Sequence, residues 1–315
     1  MESNIARVAI VGTGQMGPGI AVALALAGPQ TTLVGRSDES LFRGHQTFET
    51  ALGFLVAHDA VTQDEAAAAR RRLRTTTRLE EVAEADLVIE SIVEHLPTKQ
   101  EFFRQLDQLC PPETILASNT SGLRISDIAA LTRRPERTVT THFWNPAHLM
   151  PLVEVIKGEH TAPETVQTTA SFLRRSGKQP VVGNKDLPGQ VCNRLFQAVI
   201  REAIYLVQEG IASVEDVEAA VKAGMGLRFP VYGPLEHLDA VGLDLGLAVQ
   251  ASVLPSLCNA TEPGRFLQDR VAAGELGART GRGFYDWSQR SVADLRRERD
   301  DFLVERLKVA RRSAG

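Results

Sequence analysis

Short runs of aliphatic and β-branched residues alternate with longer stretches of helical periodicity in the first part of the chain. Helical patterns occupy residues 20–27 and, without a clear break, residues 41–73. Parallel strands need crossover helices between them, so this alternation predicts an α/β, Rossmann-type, doubly wound sheet. The predicted strands are residues 7–11, 31–34, 86–92, 114–118, 139–143 and 152–156.

The pattern changes at a polar segment, residues 184–189, which ends in a Pro-Gly pair. Beyond it the chain is helical in pattern almost throughout. Apolar residues recur at helical spacing in residues 195–207, and Ser213 precedes residues 214–221 as a helix cap. The predicted domains are a dinucleotide-binding Rossmann domain, residues 1–186, and an all-α C-terminal domain, residues 187–315.

Length and composition are those of a soluble protein with two domains. The chain has 315 residues, of which 43% are hydrophobic, and a formal net charge of -4. No apolar run approaches the roughly 18 residues of a membrane span, and the charge favours neither nucleic acid nor a membrane as partner. The three cysteines lack metal-ligand spacing, so we expect no metal site. The N-terminus lacks a secretory signal, which predicts a cytoplasmic protein.

A glycine-rich turn joins the first predicted strand to the first predicted helix. Gly12, Gly14 and Gly17 form the pattern G-x-G-x-x-G, and Gln15 and Met16 lie between the last two glycines. Glycines let the backbone turn tightly and approach a pyrophosphate, while the helix N-terminus adds unpaired N–H groups. We therefore expect these five residues to bind the phosphates of NAD or NADP.

The end of the second strand distinguishes the two cofactors. An acidic residue there binds the ribose 2'-hydroxyl of NAD, whereas an arginine accommodates the 2'-phosphate of NADP. This chain has Gly35, Arg36 and Ser37, in which Arg36 can pair with a phosphate and Ser37 can donate to it. Asp38 comes too late in register unless the loop bends back. The residues by themselves favour NADP.

Residues with acid–base chemistry follow two later strands. Residues 118–121, Ser-Asn-Thr-Ser, lie where ligands bind at the edge of α/β sheets. A loop with two prolines separates His142 from Glu154, and two strand-like segments can bring them face to face. A histidine oriented by a carboxylate suits alcohol oxidation, because the hydroxyl proton must leave as hydride departs. A lone histidine is more often structural, so the pattern by itself leaves both roles open.

Six motifs in order resemble the 3-hydroxyacyl-CoA dehydrogenase family, and the resemblance covers nearly the whole chain. It implies NAD as cofactor, a homodimer formed through the C-terminal domain, and a role in fatty acid metabolism. The motifs are GTGQMGPGIA (12–21), DLVIESIVE (86–94), SNTSGLRI (118–125), HFWNPAHLMPLVEVI (142–156), DLPGQVCNR (186–194) and TGRGFYDW (280–287).

The same resemblance assigns roles to individual residues. It implies that His142 is the general base and that Glu154 orients it. It also implies that Ser121 and Asn193 hydrogen-bond the reacting oxygen. Asn119 is implied as a further cofactor-binding residue. Glu94 and Lys99 fall at the nicotinamide side of the cofactor, although these two are equally compatible with an exposed ion pair.

Two departures from the family pattern bear on cofactor and substrate. Gly35 stands where the family usually carries an acidic residue, which favours NADP over NAD. Residues 55–62 read LVAHDAVT where acyl-CoA members often carry lysines that hold the CoA nucleotide. The arginine run at residues 70–72 either replaces that charge or forms a solvated helix face.

Three functions follow in order of preference. We expect hydride transfer at the 3-hydroxy or 3-oxo group of an L-3-hydroxyacyl-CoA-like substrate. The alternative is a free hydroxy acid or alcohol of the gulonate, carnitine or pyridine-carboxylate type. The remote alternative is a redox-inactive dinucleotide-binding protein, which the presence of His142, Glu154, Ser121 and Asn193 opposes.

Overall fold

The computed structural model describes residues 5–314, with side chains through residue 309. It divides into two compact units, and the first comprises the chain up to Asn193 together with the segment from Arg297 onward. The strands of this first unit are β1 (Arg7–Val11), β2 (Gln30–Val34), β3 (Leu73–Thr76), β4 (Leu87–Glu90), β5 (Ile115–Ser118), β6 (Thr138–Phe143), β7 (Leu152–Ile156) and β8 (Gln179–Gly183). They form one sheet in the order β3-β2-β1-β4-β5-β6-β7-β8, parallel at every pair except β6–β7.

Helices cover both faces of this sheet because the strand side chains alternate between two hydrophobic clusters. In β1, Val8 and Ile10 belong to one cluster, and Ala9 and Val11 belong to the other. The α/β Rossmann-type fold predicted from the sequence is thereby confirmed. The helices of the first unit are α1 (Gly17–Ala27), α2 (Asp38–Ala57), α3 (Gln63–Arg72), α4 (Leu96–Leu109), α5 (Ile125–Ile128) and α6 (Pro163–Arg175).

The single helical region predicted over residues 41–73 is wrong, because the structure has two helices and a strand there. Helix α2 ends at Ala57, and Asp59 then adopts a left-handed φ of 54° that stops the helix. Thr62 starts α3 with a capping box, in which its side chain accepts from the Glu65 N–H. Leu73–Thr76 then pairs with β2 as the edge strand β3.

The second unit, Arg194–Arg296, is all-α, as predicted. Ser213 caps α8, where its side chain accepts from the Asp216 N–H, as expected from the sequence. A π-helical turn, Val221–Met225, follows α8 directly. The remaining helices are α7 (Cys192–Gln208), α8 (Val214–Ala220), α9 (Gly226–Arg228), α10 (Pro234–Val241), α11 (Leu243–Val253), α12 (Arg265–Ala272) and α13 (Val292–Ala314), of which α7 begins and α13 ends in the first unit.

The division between the units differs from the predicted boundary after residue 186. Residues 187–193 belong to the first unit, because the backbone N–H groups of Val191 and Cys192 both donate to Glu154. The chain also returns to the first unit at its end, where Val304 is fully buried in the larger cluster. The start of the predicted first domain, residues 1–4, lies outside the described residues.

Within residues 5–314, no single helix is long and apolar enough to cross a membrane, although the pair Pro234–Val241 and Leu243–Ser256, bent by 115°, meets the length and composition required. No group of three or more His, Cys, Asp or Glu side chains in the described part of the chain is placed to hold a metal ion. The three cysteines are free thiols, and burial raises the pKa of Cys110 to about 12.

Candidate active site

A cleft of about 830 Å³ follows the carboxyl edge of the sheet in the first unit. It extends from the end of β2, across the ends of β1 and β4, to the end of β5. The order of strands along the sheet reverses here, because the parallel strand β1 has β2 on one side and β4 on the other. Ligands of doubly wound sheets bind at such a switch point. The lining residues include Gly12, Gly14, Gln15, Met16, Arg36, Glu94, Asn119 and Ser121.

The glycine turn between β1 and α1 has the shape that a dinucleotide requires. Gly12 has a φ of 122°, and a Cβ there would lie 2.3 Å from the carbonyl oxygen of Ser91. A Cβ at Gly17 would lie 1.8 Å from the Gly12 carbonyl oxygen, so both positions demand glycine. Gly14 instead faces open space, with no atom within 4 Å of a Cβ position. No side chain caps α1 at Met16, which leaves its first N–H groups for a phosphate.

The predicted residues at the end of β2 do not all reach the cleft. Arg36 lines it, whereas Ser37 caps α2 and accepts a hydrogen bond from the Ser40 N–H at 3.2 Å. Ser40 and Arg43, which the sequence prediction missed, line the cleft one turn later on α2. Their spacing of three residues marks one face of a helix, and this spacing was the available signal.

Glu94 and Lys99 form part of a charged network beneath the cleft. Lys99 is 1% exposed, and its Nζ lies 2.5 Å from Glu90 Oε1 and 3.3 Å from Glu94 Oε2. Glu94 Oε1 accepts from the Ser121 and Gly122 N–H groups, each at 3.1 Å. Lys99 therefore lies behind Glu94 and does not line the cleft, and Glu94 holds the loop that carries Ser121.

The charge of Glu94 is maintained against partial burial. Burial raises the pKa of Glu94, but the Thr120 hydroxyl, the charge of Lys99 and the Gly122 N–H together outweigh it. The net result is a pKa below the ordinary value of 4.5. Glu94 is therefore ionised at neutral pH, and its hydrogen bonds to the loop are of the stronger, charge-assisted kind.

Asn119 connects three strands at the floor of the cleft. Its N–H donates to the carbonyl oxygen of Glu90, and its Nδ2 donates to Ser91 Oγ at 3.3 Å. Its Oδ1 accepts from the Phe143 N–H at 2.8 Å. Because Phe143 directly follows His142, Asn119 fixes the end of β6 relative to the cleft.

His142 and Glu154 lie face to face on neighbouring strands. They are direct partners in the antiparallel register of β6 and β7, and His142 Nδ1 lies 2.8 Å from Glu154 Oε2. His142 is 7% exposed and Glu154 is fully buried. His142 Nε2 has no hydrogen-bond partner among the described residues. The pair therefore has the arrangement of a base with its orienting carboxylate.

Four donors surround the Glu154 carboxylate. Oε2 accepts from His142 and from Trp144 Nε1 at 3.1 Å, while Oε1 accepts from the N–H groups of Val191 and Cys192, each at 2.8 Å. Burial raises the pKa of Glu154, but these four hydrogen bonds outweigh it and lower the pKa to about 2. Glu154 is therefore a permanent anion at physiological pH.

A left-handed turn brings the last predicted residue to the same cluster. Gly189 and Gln190 have φ angles of 80° and 48°, and this turn aims the next two N–H groups at Glu154. Asn193 follows, and its Nδ2 donates to the Ser121 carbonyl oxygen at 3.2 Å. The hydrogen-bonded pairs Ser121–Asn193 and His142–Glu154 are thus joined through the backbone at residues 191–192 into one cluster.

Two members of this cluster were missed from the sequence. Trp144 donates to Glu154, and its position two residues after His142, on the same side of the extended chain, was the available signal. Gln190 is 4% exposed, its Nε2 donates to the Thr120 carbonyl oxygen, and its Oε1 has no partner. A polar residue between Gly189 and Asn193 gave no signal of its own.

Two family models match the chain. The NAD-binding domain of 3-hydroxyacyl-CoA dehydrogenase matches residues 7–187, and the C-terminal domain matches residues 189–287. A 3-hydroxybutyryl-CoA dehydrogenase of Bradyrhizobium diazoefficiens is 39% identical over 91% of this chain and 97% of its own length. A 5-formyl-3-hydroxy-2-methylpyridine 4-carboxylate 5-dehydrogenase of Mesorhizobium japonicum is 36% identical over 95% of this chain and 96% of its own.

Solved structures give the same family. The crystal structure of a 5-formyl-3-hydroxy-2-methylpyridine 4-carboxylic acid 5-dehydrogenase, an NAD+-dependent dismutase, has a TM-score of 0.90 at 34% identity and covers 98% of this chain and 99% of that one. The structure of an (S)-3-hydroxybutyryl-CoA dehydrogenase of Ralstonia eutropha has a TM-score of 0.76 at 36% identity. The match covers 90% of this chain and 99% of that one. The chain therefore belongs to the 3-hydroxyacyl-CoA dehydrogenase family, whose members are oxidoreductases that act on CH–OH groups with NAD or NADP.

Proposed function

We propose that this chain transfers a hydride between a nicotinamide cofactor and the 3-hydroxy or 3-oxo group of an L-3-hydroxyacyl-CoA-like substrate. The observation that carries the proposal is the buried His142–Glu154 pair at 2.8 Å. Relatives named 3-hydroxybutyryl-CoA dehydrogenase, at 34 to 39% identity, support this substrate class. The cleft with its glycine turn supports a dinucleotide beside the pair.

The two side chains of the pair have different tasks in this reaction. Because Glu154 stays ionised, it accepts the Nδ1 proton of His142, and this assignment leaves the lone pair on Nε2. In alcohol oxidation, Nε2 takes the hydroxyl proton, and in carbonyl reduction the imidazolium returns it. The Glu154 carboxylate stabilises the imidazolium in both directions. The bound nicotinamide supplies the hydride acceptor or donor.

Ser121 and Asn193 are proposed as partners of the reacting oxygen. The Ser121 hydroxyl lies on a loop whose N–H groups are held by Glu94. Asn193 donates one N–H of its side-chain amide to the Ser121 carbonyl oxygen, and the second N–H is left for a substrate. Donors held in place before the reaction stabilise developing negative charge without reorganising.

A carboxylate-bearing free alcohol, such as a pyridine-ring substrate, is the second candidate. His58 lies in the segment without lysines, and its ring nitrogens lie 2.9 Å from the Phe54 carbonyl oxygen and 3.2 Å from Asp301 Oδ1. This segment is therefore bonded to α13 and presents no lysine to a CoA nucleotide. The higher TM-score to the pyridine-carboxylate dehydrogenase, 0.90 against 0.76, favours the same candidate.

The test compares acetoacetyl-CoA with the N-acetylcysteamine thioester of acetoacetate, followed at the absorbance of the reduced nicotinamide. A CoA enzyme is expected to have a kcat/KM for acetoacetyl-CoA at least about tenfold above that for the truncated thioester, because the nucleotide adds binding energy. Equal values mean that the CoA nucleotide is not bound. Turnover of neither, together with oxidation of pyridine-carboxylate alcohols, establishes the second candidate.

The assembly and location belong to the same proposal. A homodimer through the second unit is supported by exposed apolar side chains there, such as Leu227 at 69% and Leu235 at 76%. Cytoplasmic location and a role in fatty acid metabolism stay predictions from the sequence.

A further inference from the structure

The end of the cleft at β2 carries two arginines and no carboxylate. Arg36 and Arg43 both line it. Arg36 is exposed and has no ion-pair partner among the residues whose side chains are described. Arg43 bonds Glu39 on the outer surface of α2, and an exposed ion pair of this kind holds an arginine only weakly. Within residues 5–309, Glu94 is the one carboxylate that lines the cleft, and it lies at the end near β5.

The packing around Gly35 excludes the acidic residue that would bind a ribose 2'-hydroxyl. A Cβ on Gly35 would lie 2.8 Å from Leu41 Cγ and 2.8 Å from Ser40 Oγ. Ser40 cannot easily give way, because its Oγ donates to the Ser37 carbonyl oxygen and accepts from the Ser37 N–H. The first turn of α2 therefore crowds the position at which any side chain of residue 35 would begin.

The charged side chains that line this end of the cleft are both cations. Asp38 and Glu39 belong to the first turn of α2 and do not line the cleft. Arg36 and Arg43 do line it, and each guanidinium offers several donors in a planar fork that matches phosphate oxygens. A ribose hydroxyl, which is neutral, uses neither charge.

We infer that Arg36 and Arg43 form a subsite for the 2'-phosphate of the adenosine ribose, so that this chain binds NADP(H) in preference to NAD(H). Charge-assisted hydrogen bonds to the phosphate then replace the carboxylate–hydroxyl contact of NAD enzymes. Ser40, with its hydroxyl engaged in the cap, shapes the subsite. The inference concerns only the adenosine end and holds whichever substrate the enzyme oxidises.

Calorimetric titration with three nucleotides tests the subsite without any turnover. The full chain is titrated with 2',5'-ADP, 3',5'-ADP and 5'-AMP, and NADPH and NADH are compared by their fluorescence on binding. We expect 2',5'-ADP to bind roughly 10- to 100-fold more tightly than 5'-AMP, as one or two charge-assisted hydrogen bonds predict. The 3',5'-isomer separates this subsite from any site for the CoA nucleotide.

Matched variants identify the residues. Arg36→Gln and Arg43→Gln are each expected to weaken the binding of 2',5'-ADP by about tenfold and that of 5'-AMP by less than about twofold. Arg133→Gln, which removes an exposed charge away from the cleft, is expected to change the binding of neither nucleotide. Higher salt is expected to weaken the binding of 2',5'-ADP more than that of 5'-AMP, because 2',5'-ADP carries a second phosphate. Equal affinities for 2',5'-ADP and 5'-AMP, or equal losses in Arg133→Gln and Arg36→Gln, overturn the inference.

Discussion

The two units of the chain differ in how completely they bury their apolar side chains. In the first unit, two clusters enclose the sheet, and Ile10, Leu33 and Leu87 are fully buried. In the second unit, whose residues are all described, Val217 is the one buried apolar side chain, whereas Leu243 and Leu247 are 63% and 72% exposed.

This difference separates two sources of stability. The first unit is stabilised by its own core, because each strand and helix covers another. A helical unit normally buries the apolar faces of its helices, so we expect the second unit to pack against a partner surface. In the proposed homodimer, a second copy of the chain would present the same surface and close the pair isologously. The chemistry of the first unit and the proposed assembly of the second are therefore separable by mutation.

The largest expected effect is the loss of turnover in His142→Gln. Removing the proposed general base is expected to lower kcat by about 10²–10⁴-fold, because proton transfer then depends on water. Cofactor affinity, from fluorescence titration, and molar mass, from light scattering, are expected to stay unchanged. His45→Gln, at an exposed position on α2, is the control and should retain full activity. A monomeric His142→Gln protein would contradict the separation of chemistry from assembly.

The second effect concerns assembly and is confined to the second unit. Leu243→Glu combined with Leu247→Glu places two charges one turn apart on α11. Each leucine contributes about 1.5–3 kcal/mol when buried, so the double variant should weaken self-association by at least about 100-fold. Light scattering over a dilution series measures the shift. Leu131→Glu, at a residue 51% exposed in the first unit, is the control, and an equal loss there would refute the proposed interface.

The third effect tests packing in the first unit. Gly35→Ala is expected to lower the free energy of unfolding by about 1–3 kcal/mol, because the new Cβ overlaps Leu41 and Ser40. Gly53→Ala, on the exposed face of α2 with nothing within 4 Å, should instead raise it by up to about 1 kcal/mol. Urea unfolding followed by circular dichroism measures both. If Gly35→Ala left the free energy of unfolding unchanged, the structure would have room for a side chain at residue 35.

Local patterns in the sequence were sufficient for much of the first unit. The spacing of Gly12, Gly14 and Gly17 indicates a phosphate-binding turn. At Gly12 and Gly17, a Cβ would overlap neighbouring backbone atoms, so these two positions admit only glycine. The two strand-like segments around His142 and Glu154 indicated a facing pair, and the antiparallel register of β6 and β7 supplies it. The resemblance to the family added Asn193, which no local pattern connects to Ser121.

Other features depend on contacts that a linear pattern does not contain. The break after α2 rests on one left-handed residue, Asp59, in a segment with helical composition. The burial of Lys99 depends on Glu90 from a neighbouring strand. Arg43 reaches the cleft because α2 begins at Asp38, and helix starts are read from sequence with an error of a residue or two. The exposed leucines of the second unit look like ordinary core positions in the sequence.

The smallest expected effect uses the two tryptophans, one in each unit. Folding lowers the pKa of Glu154 from 4.5 to about 2, so its ionised form stabilises the first unit above pH 4.5 and this contribution is lost as the pH falls towards 2. Trp144→Phe removes one of the four donors to Glu154, which raises the pKa and should cost about 1 kcal/mol at pH 6. The cost should shrink at pH 2.5, where the carboxyl group is closer to neutral.

Trp287→Phe supplies the matched control from the second unit. The centre of the Trp287 ring lies 5.5 Å from the guanidinium carbon of Arg290, and Trp287 has no carboxylate partner among the described residues. Its replacement should therefore lower the free energy of unfolding by the same amount at pH 6 and pH 2.5. Urea unfolding followed by circular dichroism at both pH values measures the two differences. A pH-independent cost in Trp144→Phe would mean that Trp144 acts through packing. Trp144 would then not be one of the donors that lower the pKa of Glu154.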